Sequence, residues 1–239
     1  MTFEAYIESH GLSSEIIQKF NLTFDEQNNA IVIPIVDNSG KVIHNKYRHL
    51  NHEDDPQIPK YTFDPGSHPI LFNPQALNKS WVIITEGEID TIRLTQEGLP
   101  AISGTTGAQS WQEEWTKLLE KKTAFLCYDN DEAGIKAIKT LAKHLPKAYV
   151  VILPEGYKDI CDYLQEKTKS DFLGLLTNAK KENLTAFHFS APHKTLKARQ
   201  LMDLKLPQIV WLIKDLLPAE GFTALTAPPY SYKSFLTEY

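Results

Sequence analysis

The chain has 239 residues, 42% of them hydrophobic and 23% charged, with a formal net charge of −5. That composition is ordinary for a water-facing globular chain of one large domain or two small ones. It excludes a broad basic surface for tight, non-specific nucleic-acid binding, so any such contact has to be a local groove. No apolar run is long enough for a membrane span, and the first residues, Met1-Thr2-Phe3-Glu4-Ala5-Tyr6, lack the layout of a secretory signal. Only Cys127 and Cys161 are present, with no CxxC pair. This speaks against a structural zinc site and against a disulfide framework, and a reducing cytoplasm is the simplest setting.

Thr2 to Phe20 reads as helix, broken near Gly11-Leu12-Ser13, with Ser13 or Ser14 as N-cap and Ile16, Ile17 and Phe20 on one face. Ala30–Val36 is strand-like, Asp37-Asn38-Ser39-Gly40 signals a turn, and Lys41–Arg48 alternates as the returning strand of a hairpin. Lys60-Tyr61-Thr62-Phe63 adds a third strand before the Asp64-Pro65-Gly66 turn. From Trp81 the order becomes strand, helix, strand, helix, strand, helix, strand. The expected segments are Trp81–Thr85, Glu88–Glu97, Pro100–Ser103, Trp111–Lys121 capped by Ser110, Ala124–Tyr128, Glu132–His144 and Lys147–Leu153. Alternation on this scale implies right-handed crossovers and a mainly parallel sheet. Ile160–Lys167 and Ser170–Asn178 read as closing helices, and Lys181–Lys205 is polar and mixed, which suits a linker.

Two carboxylate groups sit where apolar strands end. Trp81-Val82-Ile83-Ile84-Thr85 leads into Glu86-Gly87-Glu88-Ile89-Asp90, and Ala124-Phe125-Leu126-Cys127-Tyr128 leads into Asp129-Asn130-Asp131-Glu132-Ala133-Gly134. In an open α/β sheet, ligands bind at the carboxyl ends of the strands. Glu86, Asp129 and Asp131 are therefore expected to converge on one edge, with Asp159 completing it. Hard oxygen donors at that density suit Mg²⁺, with Mn²⁺ as a substitute. The same residues would also serve as N-caps and first-turn acids complementing helix dipoles. Asp90 is expected to brace its helix, and Gly134 to permit a close helix approach.

The ordered set Glu-Gly-x-x-Asp, Asp-x-Asp-x-x-Gly and Lys158-Asp159-x-x-Asp162-Tyr163-Leu164 resembles the TOPRIM domain of primases, topoisomerases and related nucleases. The resemblance implies a Rossmann-like α/β sheet preceded by an N-terminal α+β hairpin subdomain. It divides the chain into 1–78 (α+β subdomain), 79–180 (TOPRIM domain), 181–208 (linker) and 209–239 (the start of a P-loop ATPase domain). It implies Glu86, Asp129 and Asp131 as catalytic residues, and Glu86, Asp129, Asp131 and Asp159 as metal ligands. Lys46, Arg48, Lys60, Tyr61 and Lys158 would contact nucleic acid or nucleotide. His44, His49 and His52 have no metal-like partners and read as surface or groove residues.

At the C-terminal end, Ala227-x-x-x-x-Tyr232-Lys233-Ser234 resembles a degenerate P-loop, with Lys233 toward phosphate and Ser234 toward Mg²⁺. Tyr232 stands where a glycine would let the backbone approach, and the strands an ATPase needs do not follow, so no ATP hydrolysis is expected of this segment. The expected protein is the N-terminal portion of a phage or mobile-element primase-helicase. It would make short RNA primers on single-stranded DNA from nucleoside triphosphates, beside a helicase or ATPase domain in cis or in trans. Two other readings use the same residues: a non-catalytic module that loads single-stranded DNA, and a TOPRIM nuclease.

Overall fold

A computed structural model describes residues 1–37, 39–52, 54–107, 110–145 and 147–179, together with 211–213 and 217–218. The chain divides into two compact units, Met1–Phe187 and His188–Tyr239. In the second, the described residues form two short antiparallel strands, Trp211–Ile213 and Leu217–Pro218. The degenerate P-loop, with Lys233 and Ser234, lies outside the described residues.

The first unit opens with helices α1 (Phe3–Ser9) and α2 (Ser14–Lys19). Ser13 caps α2 by accepting the Ile16 amide. Four antiparallel strands follow in sheet order: β1 (Thr23–Asp25), β2 (Ala30–Val36), β3 (Val42–His49) and β4 (Tyr61–Phe63). Alternation decides which face of β2 is buried: Ile31, Ile33 and Ile35 are fully enclosed. Pro34 is tolerated because β1 pairs with β2 only as far as Val32, leaving an open edge where its missing N–H breaks no ladder.

The second sheet contains β5 (Leu71–Phe72), β6 (Trp81–Thr85), β7 (Ala101–Gly104), β8 (Thr123–Cys127) and β9 (Tyr149–Val150), in the order β5-β7-β6-β8-β9. The last four run parallel, as their apolar, two-sided burial predicts. The short β5 pairs antiparallel with β7, so the sheet reaches back across residue 78. The crossovers are α3 (Glu88–Gln96), α4 (Glu113–Leu119) and α5 (Glu132–His144), and α6 (Ile160–Glu166) and α7 (Lys169–Asn178) close the unit.

Strands β1 and β5 have no counterpart among the expected elements, and two others differ in their bounds. Helix α4 starts at Glu113 with Gln112 at the N-cap, not at Trp111 under Ser110. Trp111 instead packs edge-on against Trp115, and its indole N–H donates to Thr116, which holds residue 111 outside the helix. The strand expected over 147–153 pairs only at Tyr149–Val150, with one further bond from the Val151 amide to the Leu126 carbonyl.

Helix α3 joins the two sheets. Ile89 and Ile92 pack among Tyr6, Ile31, Ile33, Ile35 and Phe72 of the N-terminal region. The Gln96 side chain accepts the Ser13 amide at 2.7 Å and donates to the Gly11 carbonyl at 2.8 Å. Asn73 donates to Thr95 at 3.2 Å, and Arg93 donates to the Leu164 carbonyl at 2.9 Å.

Candidate active site

Parallel pairing sets the acidic edge. Thr85 lies opposite Cys127 in the β6–β8 ladder, so the chain just beyond each strand emerges at the same end of the sheet. Glu86 and Asp129 stand there. The Asn130 amide donates to the Lys158 carbonyl at 2.7 Å, bringing the segment before α6, and with it Asp159, to the same edge. Gly134 is required here by space. A Cβ on it would lie 2.1 Å from the Asp129 carbonyl oxygen, so only glycine lets α5 start against this turn.

Asp131 and Asp159 are N-caps as well as edge acids. Asp131 Oδ1 accepts the Gly134 amide at 2.8 Å, and Asp159 Oδ1 accepts the Asp162 amide at 2.9 Å. Each cap uses one carboxylate oxygen.

The electrostatics show the crowding. Burial pushes Asp129 up to about 7, helped by the negative charges of Glu86, Asp159 and Asp131. Glu86 is raised by burial and then by Asp131, against the Asp129 backbone amide, and its Oε2 is buried without a hydrogen-bond partner. Asp90 is raised well above the usual carboxylate range by burial, then by Asp129 and Asp159. One donor atom each from Asp90, Asp159 and Cys161 lie within 4.8 Å of one another. Like charges held this close favour a proton or a cation.

Across from the acids, β3 and β4 supply a wall of cations and rings. A cleft of about 390 Å³ runs between Lys60, Tyr61 and Phe63 on one side and Glu86, Asp90 and Asp129 on the other, with Thr105–Gly107 at its end. Larger grooves of about 440 and 590 Å³ open elsewhere and hold none of these carboxylates. Lys60 sits at the rim, 5.8 Å from the centre of the Tyr61 ring. Partial burial, Arg48 and Lys158 lower its pKa, while Asp129 and Glu86 pull it back up. Lys158 is exposed beside Asp159.

The other basic residues are placed differently from a solvated hairpin face. Lys46 is buried, and its ammonium donates to Glu88 Oε2 at 2.7 Å, to Glu88 Oε1 at 2.9 Å and to the Thr105 carbonyl at 2.9 Å. Those bonds use all three of its donors. It also lies 4.3 Å from the centre of the Tyr61 ring. Arg48 is buried between the Tyr6 and Tyr61 rings, at 5.6 and 5.3 Å, and lines a second cleft of about 220 Å³ with Lys158 and Asp159. His44 is buried beside His68, not exposed, and both its ring nitrogens lack partners.

Sequence reasoning missed two features. Glu88 is the buried partner of Lys46, and nothing local signals a pair separated by 42 positions. Cys161 enters the sequence reading only through the missing CxxC pair and as an unassigned position of the Lys158-to-Leu164 motif. Its spacing two residues after Asp159 was the available signal, and the structure sets its Sγ 3.6 Å from Asp90 Oδ1.

Comparison with known proteins converges on the same region. The model of the Toprim-like family matches residues 83–164. The Gene 57 protein of Mycobacterium phage D29 is 40% identical over 114 residues, covering 46% of this chain and 72% of that protein. The DNA primase of Aquifex aeolicus is 30% identical over 192 residues, covering 74% of this chain and 37% of that protein. The crystal structure of the zinc-binding and RNA polymerase domains of the Aquifex aeolicus primase superposes with a TM-score of 0.63 at 24% identity, over 74% of this chain and 55% of that one. That likeness is one of fold. The chain spans about a third of the length of the curated DNA primases it matches, 31% and 37% for two of them.

Proposed function

We propose that this chain, which belongs to the Toprim-like family and carries a DNA primase-like Toprim domain, joins nucleotides into short primers on single-stranded DNA. The observation that carries this reading is the cleft in which Glu86, Asp90 and Asp129 face Lys60 and Tyr61. One wall suits a cation-bridged polyphosphate, and the other suits phosphate contact with base stacking.

The residues fit a divalent cation. The edge holds several carboxylates raised by burial and then by one another's charge, and an orphaned buried oxygen on Glu86. Mg²⁺, or Mn²⁺ in its place, would be held by Glu86, Asp129, Asp131 and Asp159. When bound, it would neutralise charge developing on the attacking and leaving oxygens. Glu86, at the end of β6 beside Asp129, is the proposed group to take the proton of the attacking hydroxyl. Lys60 and Lys158 contact phosphate, and Tyr61 offers its ring face to a base. Lys46 and Arg48 support that wall from within, since Lys46 has no donor left for a ligand.

The domain partition belongs to the same proposal: 1–78 with the basic wall, 79–180 with the acidic edge, 181–208 as linker and 209–239 as a P-loop-like segment. That segment points to a helicase or ATPase partner, in cis or in trans, and a cytoplasmic setting goes with it. Among the described residues no helix is long and apolar enough to cross a membrane.

The test supplies labelled ribonucleotides, Mg²⁺ or Mn²⁺ and mixed single-stranded templates to the parent and to Asp129→Ala/Asp131→Ala. Template-dependent short products in the parent alone support primer synthesis. Shortened templates would support a nuclease instead. Tight template binding with no product under either metal would favour a loading module.

A further inference from the structure

We propose that His44 and His68 form a site for one divalent transition-metal ion of the Cu²⁺, Ni²⁺ or Zn²⁺ class, apart from the acidic edge. None of the carboxylates at that edge takes part, so the site stands or falls independently of primer synthesis.

Two local structures bring the rings together. His44 lies on β3 opposite Ile35 and shares a face with Lys46 and Arg48, which the alternation of the strand turns inward. His68 follows the turn over 64–67, where Ser67 is tied to the Asp64 carbonyl by its amide at 3.2 Å and its hydroxyl at 2.7 Å. Beyond His68, the Ile70 amide donates to the Thr105 hydroxyl at 3.2 Å, and the Ile70 carbonyl accepts the Thr105 amide at 3.1 Å. The backbone of His68 is therefore held from both sides. Its ring centre stands 6.0 Å from that of His44, with the planes at 61°. By sequence His44 has no metal-like partner, and the fold supplies one.

His44 is the anomaly that calls for a ligand. It is 6% exposed, and neither Nδ1 nor Nε2 has a hydrogen-bond partner among the described residues. A neutral imidazole carries one donor and one acceptor, and burying such groups unpaired is costly. Phe63 meets the ring edge-on at 6.5 Å and offers no polar atom. The charge of Asp64 is felt at His44, but its oxygens are already used. Oδ1 accepts the Tyr47 hydroxyl at 2.8 Å, and Oδ2 accepts the Asn45 backbone amide at 2.7 Å and side-chain amide at 3.1 Å. The Lys46 ammonium on the same face is held by Glu88. Exposed His68 is the group placed to share a ligand with the buried ring. His68 forms the mouth of the site and His44 its floor.

Geometry and donor chemistry then decide which ion fits. An ion bound to an imidazole nitrogen at about 2.0–2.1 Å lies about 3.2 Å from the ring centre, so two ligands of a tetrahedral ion have centres about 5 Å apart. His68 closes the remaining distance by turning about its own side-chain bonds, because it is exposed. The other coordination positions stay open to water. Burial, and then the neighbouring His68, lower the pKa of His44, which keeps its ring neutral and ready to bind. Neutral imidazole suits Cu²⁺, Ni²⁺ and Zn²⁺, whereas Mg²⁺ takes oxygen ligands and does not compete. Two nitrogen–metal bonds form, and no bond within the protein breaks. The bound ion staples the segment after β4 to β3, the strand that carries Lys46 and Arg48.

The experiment titrates the full chain with Cu²⁺ in excess Mg²⁺ and reads the nitrogen splitting by electron paramagnetic resonance, with Zn²⁺ affinity measured by calorimetry. The parent, His144→Ala at the exposed end of α5, and Asp129→Ala/Asp131→Ala are expected to bind one Cu²⁺ through two nitrogens. His68→Ala should lose one nitrogen from the splitting, with Zn²⁺ affinity falling by more than the roughly tenfold that follows loss of an outer-shell partner. His44→Ala should do the same. Thermal melting without metal confirms folding, and His68→Ala, at an exposed position, decides alone if the buried substitution does not fold. A two-nitrogen signal and Zn²⁺ affinity unchanged in His68→Ala place the ion on other histidines and overturn the proposal. A signal kept in His68→Ala but lost in Asp129→Ala/Asp131→Ala places it at the acidic edge and overturns it too. So does a parent that binds no stoichiometric Cu²⁺ or Zn²⁺.

Discussion

Replacing Lys46 by methionine should be among the most damaging single changes outside the acidic edge. Methionine keeps most of the side-chain volume but removes the ammonium that satisfies both Glu88 oxygens and the Thr105 carbonyl. Glu88 is 1% exposed, so its charge has no water to turn to. Breaking a buried pair from one side costs about 3–5 kcal/mol, because the other charge is left uncompensated. For a folded unit of this size that corresponds to a melting-temperature loss of about 6–20 °C. Adding Glu88→Gln should restore part of the loss, since the double variant K46M/E88Q no longer buries a charge. Thermal and urea unfolding of the parent, both single variants and the double close a double-mutant cycle, with an expected coupling of about 1–3 kcal/mol. Acidification separates the variants further. Burial already raises Glu88 against the pull of Lys46, and in K46M that pull is gone. A carboxyl whose folded pKa exceeds its unfolded value stabilises fully below the unfolded value, and loses that contribution as pH rises through the folded one. The deficit of K46M should therefore shrink on going to acid, while that of K46M/E88Q stays flat. A K46M cost below about 1 kcal/mol, or a double variant no better than the single, would refute this account of the pair.

Gly134→Ala places a Cβ 2.1 Å from the Asp129 carbonyl, so Asp129 or the start of α5 must move. It should cost about 1–3 kcal/mol and weaken Mn²⁺ binding, and unchanged affinity by calorimetry would count against the close approach. Asp131→Ala should lose both the cap on Gly134, about 1 kcal/mol, and cation affinity, whereas Asp131→Asn should keep the cap and lose only affinity. Comparing melting temperatures with Mn²⁺ titrations checks that division. In chelator, the parent should gain stability as pH falls from about 7 toward the ordinary aspartate value, because Asp129 binds its proton more tightly folded than unfolded. Saturating Mn²⁺ should abolish that slope in pH-dependent melts.

The parallel core was legible because its strands are buried on both faces and read as unbroken apolar runs. Helix α5 was bounded correctly by Asp131 at one end and His144 at the other. The acidic edge was legible for the same reason: strand ends in a parallel sheet share one side. Capping and cation binding are compatible readings of Asp131, since the cap uses one oxygen. Lys46 could not be placed from its neighbours. Its alternation with Arg48 correctly put both on one face of β3, but only the packing of α3 against that face shows that it is buried. Strand β5, two residues long, was too short to leave a periodic signal.

The seating of α3 has a consequence for how this protein could be cut or inherited. One short helix carries the carboxylate that neutralises Lys46, the apolar residues that fill the N-terminal core and the amide that fastens the α1–α2 turn. A fragment severed near residue 78 would strip β7 of its antiparallel neighbour and bare an oily helix face and an unpaired edge to other chains. The two halves read as separate modules along the sequence, yet neither is a tradable part. Recombination that replaced one without the other would inherit a sticky surface and an orphaned charge before it inherited a new activity.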